Sequence, residues 1–224
     1  FVVPTLNHDQ NLIVLGQRGT VDATPALLCP EIDAFDTKAV SLVYDAPSTG
    51  VLHVAATKAC HDRLVSEGVD LSAYNTFENI EDFVDLGKVL EVPKWSLFGT
   101  SYGTYAALVM MRLHPEKLVS VTIDSVSPPS VATLGWPWSS AGEGFKNLFD
   151  ACAAEPSCAS KYGDVQSKFT QKVQELEAYP LTVTGHYAEG GPPVQVVLDG
   201  GALVNWLVAG GRATFAAAPS AIKE

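Results

Sequence analysis

The chain has 224 residues, 47% of them hydrophobic and 17% charged, which is apolar material enough for a sizeable core and too much for a disordered polymer. Its 14 Lys and Arg stand against 25 Asp and Glu, a net charge of −11, and the scattered cations exclude the basic footprint of a nucleic-acid or anionic-membrane binder. The longest mostly apolar run, Ala106 to Met111, is far short of the roughly 20 residues that span a bilayer, so no membrane span is expected.

In chain order, Phe1 is not an initiator residue and nothing after it resembles a signal peptide, so the sequence is expected to start inside a longer gene product or after processing. Asn11 to Leu15 is a short continuous apolar run ending at Gly16, which predicts a buried strand followed by the loop Gln17-Arg18-Gly19-Thr20. His53 to Ser66 carries a helical pattern that stops before Gly68. Asn75 with Glu78 forms a capping pair that opens a helix to about Leu90. Trp95 to Phe98 predicts a strand, Gly99 to Gly103 breaks it, and Tyr105 to Leu113 predicts a buried helix closed by His114-Pro115. Leu118 to Asp124 predicts a further strand, ended by Ser127-Pro128-Pro129. Strands alternating with helices imply an α/β fold with a parallel sheet.

Beyond about residue 134 amphipathic helices take over. Val165, Phe169, Val173, Leu176 and Tyr179 fall on one helical face. Two extended segments, Leu181 to Thr184 and Val194 to Leu198, precede Asp199, which is placed to cap a helix through Trp206. Residues 1–133 are therefore read as an α/β core and 134–224 as a mainly helical cap. Trp136, Trp138 and Trp206 read as cap core rather than a substrate shelf.

Four cysteines, with no CxxC and no nearby His pair, do not suggest a metal site. Their spacing predicts a local Cys152–Cys158 bridge, with Pro156 in a turn after a helix, and a longer Cys29–Cys60 bridge. Four buried free thiols are the alternative, since sequence does not fix pairing. Two bridges would imply an oxidising compartment: secreted, periplasmic or cell envelope.

Gly99-Thr100-Ser101-Tyr102-Gly103 fits G-x-S-x-G and lies between a predicted strand and a predicted helix, the context in which that motif lifts a nucleophilic hydroxyl above a sheet. The Tyr102 amide, at the helix N-terminus, is then aimed at negative charge developing on a substrate carbonyl oxygen. The plainer alternative is that Ser101 only caps the helix.

Here the sequence resembles the α/β-hydrolase-fold bacterial tripeptidyl aminopeptidases and the related prolyl aminopeptidases. The resemblance rests on Gln17-Arg18-Gly19-Thr20, Cys29-Pro30-Glu31, Tyr74-Asn75-Thr76, the block from Trp95 through Pro129, and Cys152-Ala153-Ala154-Glu155-Pro156-Ser157-Cys158. It implies an α/β-hydrolase fold with an inserted helical cap. It also implies a serine hydrolase that releases short peptides or residues from a free N-terminus through an acyl-enzyme on Ser101, without metal or organic cofactor. An esterase on the same fold and a non-catalytic hydrolase-fold binding module are the alternatives.

Three departures from the family pattern bound that implication. Gly16 stands where the family usually has Asp. The Gly-rich loop that supplies a second oxyanion donor normally precedes the Asn11 strand. The acid and histidine follow the cap, in the order Ser, Asp, His, so the sequence is expected to be incomplete at both ends. In the family's sheet order one further strand separates the Asn11 and Trp95 strands, and Phe1 to Pro4 is too short to supply it. Local histidines do not complete a triad. His114 lies about 12 helical residues, roughly 18 Å, from Ser101. His186 falls in a cap loop and would break the chain order, and His8, His53 and His61 read as surface or core residues. Asp124 ends a strand from which an acid could reach a histidine, but capping of the following turn is the preferred reading.

Overall fold

The computed structural model describes residues 11–44, 46–131, 136–187 and 190–209, and only the backbone of 136–139. The chain is mixed α/β and divides into two compact units, Phe1–Leu28 with Asp62–Ala132 and Cys29–His61 with Thr133–Glu224.

The first unit is built around α3 (Thr76–Val89), β1 (Trp95–Thr100), α4 (Tyr102–Leu113) and β2 (Leu118–Asp124). Helix α3 starts where the sequence places it, because the Asn75 side chain accepts from the Glu78 amide and satisfies one of the N-terminal donors. β1 and β2 pair in parallel, with Leu97 opposite Val121, Phe98 opposite Thr122 and Thr100 opposite Asp124. One face of this two-stranded sheet carries Trp95, Leu97 and Leu118, which pack with α3 and α4 around Ile80, Val84, Val109 and Met110. The alternating residues Ser96, Phe98 and Thr100 face the other way and are exposed.

The N-terminal segment of this unit departs from expectation. Asn11 to Leu15 forms no strand, and Leu12, Ile13 and Val14 are exposed at 42%, 39% and 80%. A continuous apolar run becomes a buried strand only when other strands cover it, and among the described residues none pairs with it; β1 pairs with β2 alone. What orders the following loop is Arg18. Its Nε and Nη2 donate to the two Asp82 carboxylate oxygens at 2.9 and 2.7 Å, and Nη1 donates to the Ala73 carbonyl at 2.6 Å. Hydrogen bonding to Asp82 raises the Arg18 pKa above its ordinary value against the opposing effect of burial. Gly19 follows at φ 80°, where an added Cβ would lie 2.9 Å from the Tyr74 ring.

The second unit holds α1 (Pro30–Ala39), most of α2 (Pro47–Ser66), α5 (Trp136–Ala154), α6 (Pro156–Tyr162), α7 (Val165–Ala178), β3 (Leu181–Gly185), β4 (Val194–Leu198) and α8 (Gly200–Ala209). Its core joins Phe145, Phe149 and Cys152 of α5 to Val165 of α7 and Leu207 of α8. β3 and β4 form an antiparallel pair with Val183 opposite Val196. Asp199 caps α8 by accepting from the Ala202 amide at 2.7 Å, and the same buried carboxylate accepts from the Tyr44 amide. Gly200 lets α8 approach α7, since a Cβ there would lie 2.7 Å from the Val173 carbonyl oxygen.

The structure corrects two readings in this unit and adds a helix. Helix α1 was not expected; it buries no residue of its own and is signalled only by Pro30 at its start and by Glu31 and Asp33 in its first turn. Tyr179 ends α7 and is 80% exposed, so the apolar face stops short of it. Trp206 is 52% exposed rather than core, because the covered stripe of α8 runs through Leu203, Val204 and Leu207, and Trp206 lies off it. The side chains of Trp136 and Trp138 lie outside the described residues.

Two disulfides join Cys29 to Cys60 and Cys152 to Cys158, with Cα separations of 5.3 and 5.2 Å. The first ties the N-terminus of α1 to α2, and the second closes the α5–α6 junction, where Pro156 opens α6 and Glu155 accepts from the Ser157 amide.

Candidate functional site

The junction between β1 and α4 carries an uncommon backbone conformation. Ser101 adopts φ 53° and ψ −119° between the last residue of β1 and the first of α4. A non-glycine residue held at positive φ costs about 1–3 kcal/mol and persists only where its surroundings enforce it. Here the enforcement is visible on each side. The Ser101 amide donates to the Asp124 carbonyl at 3.2 Å, which ties the junction to the end of β2. The Ser101 carbonyl accepts from the Thr104 amide at 2.9 Å and from the Thr104 hydroxyl at 2.7 Å. Gly99 passes so close to the helix start that a Cβ on it would lie 2.4 Å from the Gly103 carbonyl oxygen.

Ser101 occupies the N-cap position but its side chain makes no capping hydrogen bond, and the residue is exposed. The side-chain hydrogen bond at this helix start is made by Thr104, through its hydroxyl to the Ser101 carbonyl. The adjacent Tyr102 amide opens α4, where donors lack an acceptor within the helix and the helix dipole is positive. Both groups sit at the C-terminal end of two parallel strands, the end at which open α/β sheets bind ligands.

The surroundings of the junction come from α3 and from the turn after β2. The Tyr102 hydroxyl hydrogen bonds with the Thr76 hydroxyl at 2.9 Å and accepts from the Asn79 side-chain amide at 3.2 Å. The Tyr102 ring lies parallel to that of Tyr105, with centroids 6.0 Å apart. Thr104 is fully buried, and its hydroxyl also accepts from the Ser127 amide at 2.8 Å. That bond supplies the capping of the turn expected from Asp124, whose exposed carboxylate contacts the Ser125 hydroxyl at 3.4 Å.

No protein-family model matches the chain, and no curated protein matches it.

His114 and His53 have partners away from this junction. His114 bonds to Glu81 at 2.7 Å, at the opposite end of α4 from Ser101. His53 is exposed and packs against the Phe35 ring at 5.2 Å, and His186 is an exposed residue after β3 in the second unit. His8 lies outside the described residues. Among the described residues no histidine or carboxylate hydrogen bonds to the Ser101 hydroxyl, and no group of three or more His, Cys, Asp or Glu is placed to hold a metal ion. The structure thus sets the Ser101 hydroxyl beside the Tyr102 amide, with Asp124 meeting Ser101 through its backbone, and among the described residues no histidine or carboxylate side chain hydrogen bonds to the serine hydroxyl.

Thr76 and Thr104 lie in stretches that carry the resemblance but have no role assigned from sequence, and Asn79 is not singled out there. The cue to Thr104 is a polar residue inside an otherwise apolar buried helix. Asn79 carries no cue beyond its nearness to a helix cap.

Proposed function

We propose that the chain carries the nucleophile-bearing part of a serine hydrolase of the α/β-hydrolase fold, similar to the bacterial tripeptidyl and prolyl aminopeptidases. The observation that supports this reading best is the positive φ of Ser101 at a strand-to-helix junction, with a side chain that caps nothing. In the proposed reaction the Ser101 oxygen bonds to the carbonyl carbon of a short peptide, and the carbonyl oxygen becomes an oxyanion facing the Tyr102 amide. The carbon–nitrogen bond then breaks, and the proton from Ser101 passes through a general base to the departing amine. Water attacks the resulting ester and returns the serine. The base and its acid partner are proposed to lie outside these 224 residues. An ester would react by the same steps with an alcohol leaving.

The two disulfides support work in an oxidising compartment outside the cytoplasm. A second reading, a hydrolase-fold module that binds without catalysis, draws on the lack of a base hydrogen bonded to the Ser101 hydroxyl among the described residues. A fluorophosphonate probe applied to the full gene product distinguishes the two. Covalent labelling at Ser101, abolished in Ser101→Ala, is expected for the hydrolase; a folded protein that is never labelled overturns it.

A further inference from the structure

We propose that Thr104 is a positioning residue that fixes the direction and polarity of the Ser101–Tyr102 peptide, and so of the oxyanion-binding amide, through its buried hydroxyl. This rests on the serine-hydrolase reading. The Ser101 carbonyl and the Tyr102 amide belong to one planar, trans peptide, so they point in opposite directions and turn together. Whatever holds the carbonyl also aims the amide. The carbonyl is held twice by one residue, by the Thr104 amide at 2.9 Å and its hydroxyl at 2.7 Å. Donation to a carbonyl also polarises its peptide and makes the N–H on the far side a stronger donor.

The geometry leaves the hydroxyl no freedom to do otherwise. It has one proton, which goes to the Ser101 carbonyl, while its lone pair accepts from the Ser127 amide at 2.8 Å. Ser127 follows the positive-φ residue Ser125 at the end of β2. One fully buried oxygen therefore locks the nucleophile's peptide to the turn beside it. On its other side the same peptide is steadied by the Tyr102 ring, whose hydroxyl is fastened to Thr76 and Asn79. Valine matches threonine in shape and lacks only the hydroxyl.

The test compares the parent full gene product with Thr104→Val and Thr104→Ser, using fluorophosphonate labelling rates and hydrolysis of a short-peptide p-nitrophenyl ester. Thr104→Val is expected to lower the labelling rate and kcat about tenfold with KM unchanged, since the amide acts on charge that develops only in the transition state. Thr104→Ser, which keeps the hydroxyl, is expected to stay within about twofold of the parent. A purely structural role would instead lower the thermal midpoint while leaving kcat per folded molecule unchanged, and that result overturns the proposal. Equal losses in Thr104→Val and Thr104→Ser overturn it as well. If Thr104→Val does not fold, Thr104→Ala is compared with Thr104→Ser, and equal kcat values refute the role of the hydroxyl. A parent that is never labelled overturns the serine-hydrolase reading and this inference together, whereas a labelled parent with an equally reactive Thr104→Val overturns this inference alone.

Discussion

The two glycines of the Ser101 motif do different work, and substituting each in turn measures the difference. A Cβ at Gly99 would lie 2.4 Å from the Gly103 carbonyl oxygen, 2.7 Å from its carbon and 3.1 Å from the Thr104 amide nitrogen. All three are backbone atoms, so no side chain can swing aside. To reach even the 3.0 Å below which real Cβ contacts essentially never fall, the end of β1 and the start of α4 must separate by at least about 0.6 Å. Overpacking of this kind costs about 1–3 kcal/mol, and the absence of a yielding side chain places Gly99→Ala toward the upper part of that range. Since a displacement of about 1 Å at a reacting centre can cost 10²-fold, the labelling rate of Ser101 is expected to fall ten- to hundredfold. A Cβ added at Gly103 would meet nothing within 4 Å among the described residues apart from the helix's own backbone, so Gly103→Ala is expected to be neutral or to stabilise by about 0.5–1 kcal/mol. Urea unfolding, with the slope required to stay constant, reads the stability term, and fluorophosphonate kinetics read the second. A Gly99→Ala protein as stable and as reactive as its parent would refute the reasoning, as would a Gly103→Ala protein that loses as much.

Arg18→Lys is expected to destabilise by about 1–2 kcal/mol in urea unfolding, because an ammonium cannot reproduce the two-pronged contact with Asp82 while also reaching the Ala73 carbonyl. Opening the Cys152–Cys158 and Cys29–Cys60 bridges separately by Cys→Ser pairs is expected to cost about 2.4 and about 3.7 kcal/mol on the chain-entropy relation, measured as shifts in unfolding midpoint under non-reducing conditions. Asp164, at the start of α7, has its pKa held below the ordinary 3.8 by the Ser167 amide first and the Ser167 hydroxyl second. A carboxyl depressed on folding stabilises above its unfolded pKa and loses that contribution as pH falls through the folded one. The stability advantage of the parent over Asp164→Asn should therefore shrink as an acid titration passes below 3.8, and a constant difference would contradict the cap.

How much of this was legible depends on how local each cause is. Helix α3 could be read because its start is written in Asn75 and Glu78, and its end in the loss of the pattern after Leu90. Strand β2 could be read to the residue because Leu118 to Asp124 lies between a proline-led turn and a serine-proline stop. Asn11 to Leu15 misled because an apolar run says what a segment would gain from burial and nothing about whether strands are there to bury it. Helix α1 was illegible for the opposite reason: its place is set by a disulfide at Cys29 and by the Val40 carbonyl accepting from Val197, not by an apolar stripe. At the junction, the motif gave Ser101 and Tyr102, whereas Thr104 became meaningful only once β2 had brought Ser127 beside it.

The two bridges also differ in how the chain can reach them. Cys152 and Cys158 are six residues apart, whereas Cys29 and Cys60 are separated by 31. Closure probability falls roughly as the three-halves power of loop length, so in the reduced, unfolded chain the nearer thiols meet at about a tenfold higher effective concentration. The local pair can close before any tertiary structure exists, and once closed it keeps both of its cysteines out of mispairing. Among these four cysteines Cys29 and Cys60 are then left to each other, and the three pairings that four thiols allow are biased toward one by sequence separation.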